Sequence, residues 1–310
     1  MTVAAIELRD IAKTYGPRAR IGPVSLVVPA GVVFGFLGPN GAGKSTVIRL
    51  CAGLLKADGG SALIGGRPLA EALRSRRVGF MLEGQAFFSH LSARENLLML
   101  AKMHAAVPVG RVDGVLDLVE LSSRSRERVG GYSLGMKQRL SLASALLADP
   151  DVLILDEPSN GLDPPGLRLV RNILESRARA GCTIFLSSHN LTEVERVCSH
   201  VAFIRRGALV YQGEVAELLS GSAAVCVVAS DFEAVRDVLS GAGLSVRVDG
   251  GAARVEGAAP AEVCRILAGG GIFPEHISAV SESLEEAFIR LVGGRSGDPG
   301  PREDVGEPTC

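Results

Sequence analysis

Apolar positions along the chain fall into two periods that take turns. Residues 3–28 carry short β-rich pieces, VAAIEL and then VSLVV, on either side of a Tyr-Gly turn at Tyr15 and Gly16. VVFGFL at 32–37, VLILD at 152–156 and TIFLS at 183–187 are continuous apolar runs of strand length, and Val78 to Leu82 is another. Between them, STVIRLCAGLL places apolar residues at 47, 48, 50, 51, 54 and 55, the spacing of an amphipathic helix, and a further helix is predicted around 166–180. Buried strands joined through helices predict a parallel sheet covered on both faces. Residues 58–68 read as a short hairpin, and 92–148 as mostly helical, opening on a capping box at Ser92 and Glu95.

Past about Ser220 the pattern changes. AVCVVA, a helix near 231–241, LSVRV, ARVEG, a helix near 260–268 and a strand around 276–280 give a βαββαβ order, which predicts a small ferredoxin-like α+β domain. SLEEAFIRLV at 283–292 is one more amphipathic helix, with Leu284, Ala287, Phe288 and Leu291 on one face. The expected organisation is therefore an α/β domain over 1–220 with a helical subdomain at about 84–148, an α+β accessory domain over 221–292, and a tail at 293–310 whose Gly, Pro and charge predict disorder.

Composition narrows the classes. With 47% apolar and 22% charged residues in 310, the chain can bury a sizeable core. A net charge of -1 gives no overall pull toward nucleic acid or anionic lipid. The basic clusters Arg74, Arg76, Arg77 and Arg124, Arg126, Arg128 lack interleaved aromatics and read as solvated faces. Acids within the first ten residues argue against a secretory signal, and the most apolar window, 24–38, is short for a membrane span and broken by Pro29 and Gly31. A cytosolic chain is expected. Its six cysteines form no CxxC pair, so buried, reduced thiols are expected ahead of a zinc site or a disulfide frame.

The chemistry begins at Gly38, Pro39, Asn40, Gly41, Ala42, Gly43, Lys44, Ser45 and Thr46, which match GxxxxGK[ST] between a strand and a helix. Backbone NH groups there can turn onto a β-phosphate, Lys44 can meet the β- and γ-phosphates, and Ser45 can offer a hydroxyl to Mg²⁺. Asp156 and Glu157 end a buried strand, where open α/β sheets bind ligands; Asp156 suits the metal side and Glu157 an attacking water. His189 ends the next strand on the same rim, within reach of a γ-phosphate. A second helix start, predicted just after Gly135 in GYSLGMKQRL, is another ready phosphate site. It raises the question of whose phosphate it serves.

GPNGAGKST, YSLGMKQRL, LILDEPSNGLDP and SSHN together, in this order, resemble the phosphate loop, signature, Walker B and D-loop, and switch histidine of ABC-transporter ATPase subunits, over residues 5 to about 215. The resemblance implies a P-loop NTPase fold of the ABC ATPase type, ATP and Mg²⁺ as cofactors, and a head-to-tail homodimer. In such a dimer Ser133 and Gly135 serve the ATP held at Lys44 of the other copy, and Asp163 crosses the interface. Tyr15 takes the place of the aromatic that stacks on adenine, and Arg139 pairs locally. The sequence departs from the family at Glu83, where a Q-loop glutamine is usual, and at Leu134, where a second glycine is usual. Glu83 can still accept from Mg²⁺-bound water, and Gln85 is an alternative for its role. LEG with SLGMKQRL resembles the bacitracin- and lantibiotic-export branch, and SLEEAFIRL resembles the ending of antibiotic export ATPases whose permease is a separate chain. The expected role is ATP-driven export of an antibiotic or other hydrophobic compound through an integral-membrane permease, at the cytoplasmic face of the membrane and without a nucleic-acid partner. An importer ATPase, or a soluble ATPase acting on ribosomes or DNA, is the alternative.

Overall fold

Alternating burial builds the first sheet of the computed structural model, which describes residues 4–16, 19–75, 77–84, 86–103, 107–108, 110–220, 224–249, 251–280 and 282–293. β1 (Ala4–Tyr15) buries Ile6, Leu8 and Ile11. A register shift between Leu8 and Ile11 keeps Ile11 inward, with Asp10 at φ 49 and its backbone NH donating to Ser25 Oγ at 2.9 Å. β2 (Ala19–Pro29) pairs antiparallel with β1. Next along the chain come β3 (Val33–Leu37), α1 (Lys44–Cys51), and the expected hairpin of β4 (Gly59–Ile64) and β5 (Arg67–Pro68). The antiparallel sheet runs β2-β1-β4-β5.

α2 (Leu69–Arg74) and β6 (Val78–Met81) lead to the helical stretch, α3 (Ala93–Met103), α4 (Gly110–Leu118) and α5 (Leu134–Leu146). The capping box is present: Glu95 Oε2 accepts from the Ser92 backbone NH at 2.7 Å, and Ser92 Oγ accepts from the Glu95 NH at 3.2 Å. α5 begins earlier than expected. Ser133 is its N-cap, its side chain accepting from Met136 N at 3.2 Å, so Leu134 and Gly135 are already helical.

β7 (Val152–Asp156), α6 (Pro164–Arg179), β8 (Thr183–Ser188), α7 (Leu191–Val197), β9 (His200–Arg205) and β10 (Ala208–Glu214) complete the first compact unit, Met1–Glu214. The second sheet runs β10-β9-β3-β8-β7-β6, parallel except at β10. One core joins one face of this sheet to α1 and the antiparallel sheet: Ile6, Leu26, Ile48, Ile154 and the rings of Phe34 and Phe36, each tilted against Phe185 at 5.9 and 5.5 Å between centroids. On the other face α7 lies so close to β3 that a Cβ at Gly35 would meet Val194 Cγ1 at 2.8 Å. Both faces are thus covered, as all-buried strands require.

The second unit, Val215–Cys310, starts a helix earlier than the boundary expected at 220. α8 (Val215–Ser220) precedes β11 (Ala224–Val228), α9 (Phe232–Gly241), β12 (Ser245–Asp249), β13 (Ala252–Glu256), α10 (Pro260–Gly269), β14 (His276–Val280) and α11 (Leu284–Gly293). The sheet order β12-β13-β11-β14, antiparallel throughout, is the ferredoxin-like arrangement, with Val225, Val227, Val255, Leu239 and Leu267 at its core. In α11, Leu284 and Ala287 are fully buried. The tail expected to be disordered lies outside the described residues from 294 on. No helix among the described residues is long and apolar enough to cross a membrane.

Candidate functional site

The carboxyl ends of β3, β7 and β8 meet at one cavity of about 590 Å³. Its floor is the 38–46 loop. Gly43 holds φ 108 directly before α1, and a Cβ there would meet Ile21 Cδ1 at 2.6 Å, so the turn and the close packing both require glycine. Pro39, Asn40, Gly41, Lys44, Ser45 and Thr46 line the cavity, beside the NH groups at the start of α1. Gly38 and Ala42 are not on the cavity wall: a Cβ at Gly38 would meet Ile204 O at 2.3 Å, and Ala42 is buried behind the loop.

Lys44 is 6% exposed, a cation held in the interior. Its Nζ donates to Gly38 O at 2.7 Å and lies 3.5 Å from Glu157 Oε1. These contacts offset the cost of burying the charge and leave the ammonium at the cavity floor. Across from it Glu157 stands at φ 50, a left-handed conformation that a side chain this size rarely takes. Two neighbours hold that backbone: the Glu157 NH donates to Ser187 Oγ at 3.0 Å, and the Glu157 carbonyl accepts from Gln138 Nε2 at 2.8 Å. The carboxylate is held from two sides as well, by Lys44 at Oε1 and by His189 Nδ1 at 2.8 Å from Oε2.

Asp156 is 1% exposed. Its Oδ1 accepts from Ser187 Oγ at 2.6 Å and from Ser45 Oγ at 3.2 Å, while Oδ2 is buried with no hydrogen-bond partner. An unpaired buried carboxylate oxygen is costly unless something binds it. A hard-oxygen pair, Ser45 and Asp156, is the donor chemistry of Mg²⁺, and these residues fit that ion. Among the described residues no three His, Cys, Asp or Glu side chains could hold a metal by themselves, so phosphate oxygens and water would complete its shell.

Tyr15, Glu83 and His189 also line this cavity. Gln85, the alternative to Glu83, lies outside the described residues, as does Arg76 of the first basic cluster. Ser133, Gly135 and Asp163 are not on its wall; Ser133 and Gly135 stand at the start of α5, and Asp163 just before α6. There Leu134 lies over Gly161, where a Cβ would meet Leu134 Cδ2 at 2.4 Å, and Asp163 Oδ1 caps α6 by accepting from Gly166 N at 3.0 Å. Arg139 donates to the Val119 and Glu120 carbonyls at 3.2 Å, a local contact at the end of α4. Arg77 pairs with Asp151 and Arg124 with Glu127.

Four residues of the site were not read from the sequence: Ser187, Gln138, Asn160 and Ile21. Ser187 had a signal in retrospect, because β7 and β8 pair in parallel with Asp156 opposite Ser187. Gln138 had none, since its partner is a backbone carbonyl 19 residues away. Of the thiols, Cys51 and Cys182 are pushed up by burial, to about 12 and about 11, which makes them inert as nucleophiles. Cys226 is half-buried and Cys264 is exposed, against the expectation of burial; both lie in the second unit.

The ABC transporter family model matches residues 21–160. The bacitracin transport ATP-binding protein BcrA of Bacillus licheniformis is 42% identical over 208 residues, covering 66% of this chain and 68% of that protein. The protein of the same name from Enterococcus faecalis is 33% identical over 306 residues, covering 93% of this chain and 96% of its own, so the likeness continues through the second unit. A solved ATP-binding subunit of an ABC transporter superposes with a TM-score of 0.64 at 27% identity, covering 70% of this chain and 92% of that one.

Proposed function

The chain belongs to the ABC transporter family as an ATP-binding subunit that hydrolyses ATP, and on that premise we propose that it powers export of an antibiotic or other hydrophobic compound through a separate integral-membrane permease. The observation that carries the hydrolytic site is the hold on Glu157, whose backbone and carboxylate are each fixed from two sides at the cavity wall.

In this reading the 38–46 loop and the start of α1 receive the β-phosphate, with Tyr15 against the adenine. Lys44 moves its hydrogen bonds from Gly38 O to the phosphate oxygens, so its positive charge is already desolvated where charge develops. Ser45 and Asp156 would hold Mg²⁺, and Glu83 would accept from its water shell. When bound, the ion neutralises charge on the β- and γ-phosphate oxygens. Glu157 accepts the proton of the attacking water, and His189 keeps that carboxylate aimed while its exposed ring meets the γ-phosphate.

Ser133 and Gly135 lie off the wall of their own cavity, which supports the reading that they serve a second copy's γ-phosphate in a head-to-tail homodimer. Asp163, besides capping α6, would face that interface. The division into an ATPase domain, an accessory domain and a tail follows the same reading. The accessory domain would buttress the dimer, and no nucleic acid takes part.

Both BcrA proteins are named for bacitracin transport, which supports antibiotic export, and the subunit would then work at the cytoplasmic face of the membrane. The test is to tag this chain, extract membranes in mild detergent and identify what comes down with it. A roughly stoichiometric multi-span protein is expected. Recovery in the soluble fraction with ribosomes or DNA would overturn the transport reading.

A further inference from the structure

The geometry points to Gln138 as a positioning residue that ties the signature helix to the general base of its own site. This inference rests on the reading of Glu157 as that base and of Ser133 and Gly135 as contacts to a partner's phosphate.

α5 grips the turn carrying Glu157 at two places. Its first turn lies over that loop, with Leu134 against Gly161, where no side chain fits, and Gly135 beside the Gly161 carbonyl, 3.3 Å from where a Cβ would stand. One turn further on, Gln138 Nε2 donates to the Glu157 carbonyl at 2.8 Å, and the same carbonyl accepts from Asn160 N at 3.1 Å to close the turn. Glu157 adopts φ 50, which persists only where the surroundings over-determine it. Ser187 fixes the amide side of that residue and Gln138 the carbonyl side. Ser187 sits on a central buried strand and is a fixed anchor. Gln138 is on a helix whose N-terminus, capped by Ser133, is the candidate site for the other copy's ATP.

Seating of a phosphate at the start of α5 would therefore be felt at Glu157 through one helical turn, a rigid element of short span. Each base would be set in place by occupancy of the opposite half-site. The role is positioning, because Gln138 acts through the Glu157 carbonyl and is not among the residues that line the cavity.

The test is steady-state hydrolysis and nucleotide binding by Gln138→Met, which keeps length and apolar packing but removes the donor, with Gln138→Glu, which points an acceptor at the carbonyl, as a second variant. A lost hydrogen bond to a strained turn predicts a fall in kcat of roughly tenfold for the first and more for the second, with KM for ATP held within about twofold. ATP-driven dimer formation in a Glu157→Gln background should survive Gln138→Met. A kcat equal to the parent's overturns the inference, and so does a parallel loss of kcat and nucleotide affinity, which would mark a general structural role. Failure of the underlying reading is separate: it would show as continued turnover by Glu157→Gln alone.

Discussion

The two units of this protein bury polar groups differently. In the first, several buried polar groups gather at one site: Lys44, Asp156 and Ser187 surround the left-handed Glu157, and Asp156 Oδ2 has no hydrogen-bond partner. In the second, the core is a run of Val, Leu and Ala, and the buried Glu282 is matched by two hydrogen bonds from Arg290, at 2.9 and 2.7 Å. All five non-glycine residues with positive φ among the described residues lie in the first unit. Of these five, Glu157 lines the cavity, and a strained backbone held at a functional site is part of what shapes it. The contrast sets a unit that carries an unpaired buried carboxylate oxygen at its cavity beside one whose core is apolar.

The contrast breaks most sharply at Glu157. Glu157→Gln should lower ATP turnover by about 10²–10⁴-fold while the nucleotide still binds, as phosphate-release and binding assays would show. Lys44→Met should weaken nucleotide binding by about 10–100-fold, because charge-assisted hydrogen bonds to phosphate are lost; titration with a fluorescent nucleotide reads it. In the second unit the same scale of change should appear as stability alone. Leu239→Ala, at a position fully buried in its core, should cost about 2–5 kcal/mol in chemical unfolding and leave KM for ATP unchanged.

Much of this was legible in the sequence because it is local. The phosphate loop, the buried strands, the capping box at Ser92 and the βαββαβ order each follow from residues close in the chain. What escaped depends on register or on main-chain partners. Ser187 acts through the parallel pairing of β7 with β8, which shows it opposite Asp156 only once the register is known, and Gln138 acts on a backbone carbonyl, which leaves no side-chain pattern to read. α5 starts two residues before the position expected just after Gly135, because Ser133 is the cap and Leu134 and Gly135 are already helical. Ser133, Gly135 and Asp163 gave a motif but no shared cavity, as a site divided between two copies would.

Smaller tests sharpen the comparison. Arg290→Met removes both hydrogen bonds to a carboxylate that is 5% exposed and should cost about 2 kcal/mol in the second unit, seen as an earlier unfolding midpoint with unchanged turnover. The smallest effect is expected at Glu95. Hydrogen bonds from the Ser92 side chain and backbone hold its carboxyl below the ordinary value of 4.5, so its contribution to stability is present above that value and lost as pH falls through the lowered pKa. Glu95→Gln should therefore be less stable than the parent at neutral pH, with the difference fading in an acid titration of unfolding as pH falls below 4.5 and through the lowered pKa.

The central claim is that Glu157 completes an ATP site shared between two copies of the chain. The most direct measurement is sedimentation of the Glu157→Gln protein at saturating ATP and Mg²⁺. The account predicts a dimer that dissociates when ATP is removed. A protein that stays monomeric with ATP bound would contradict it.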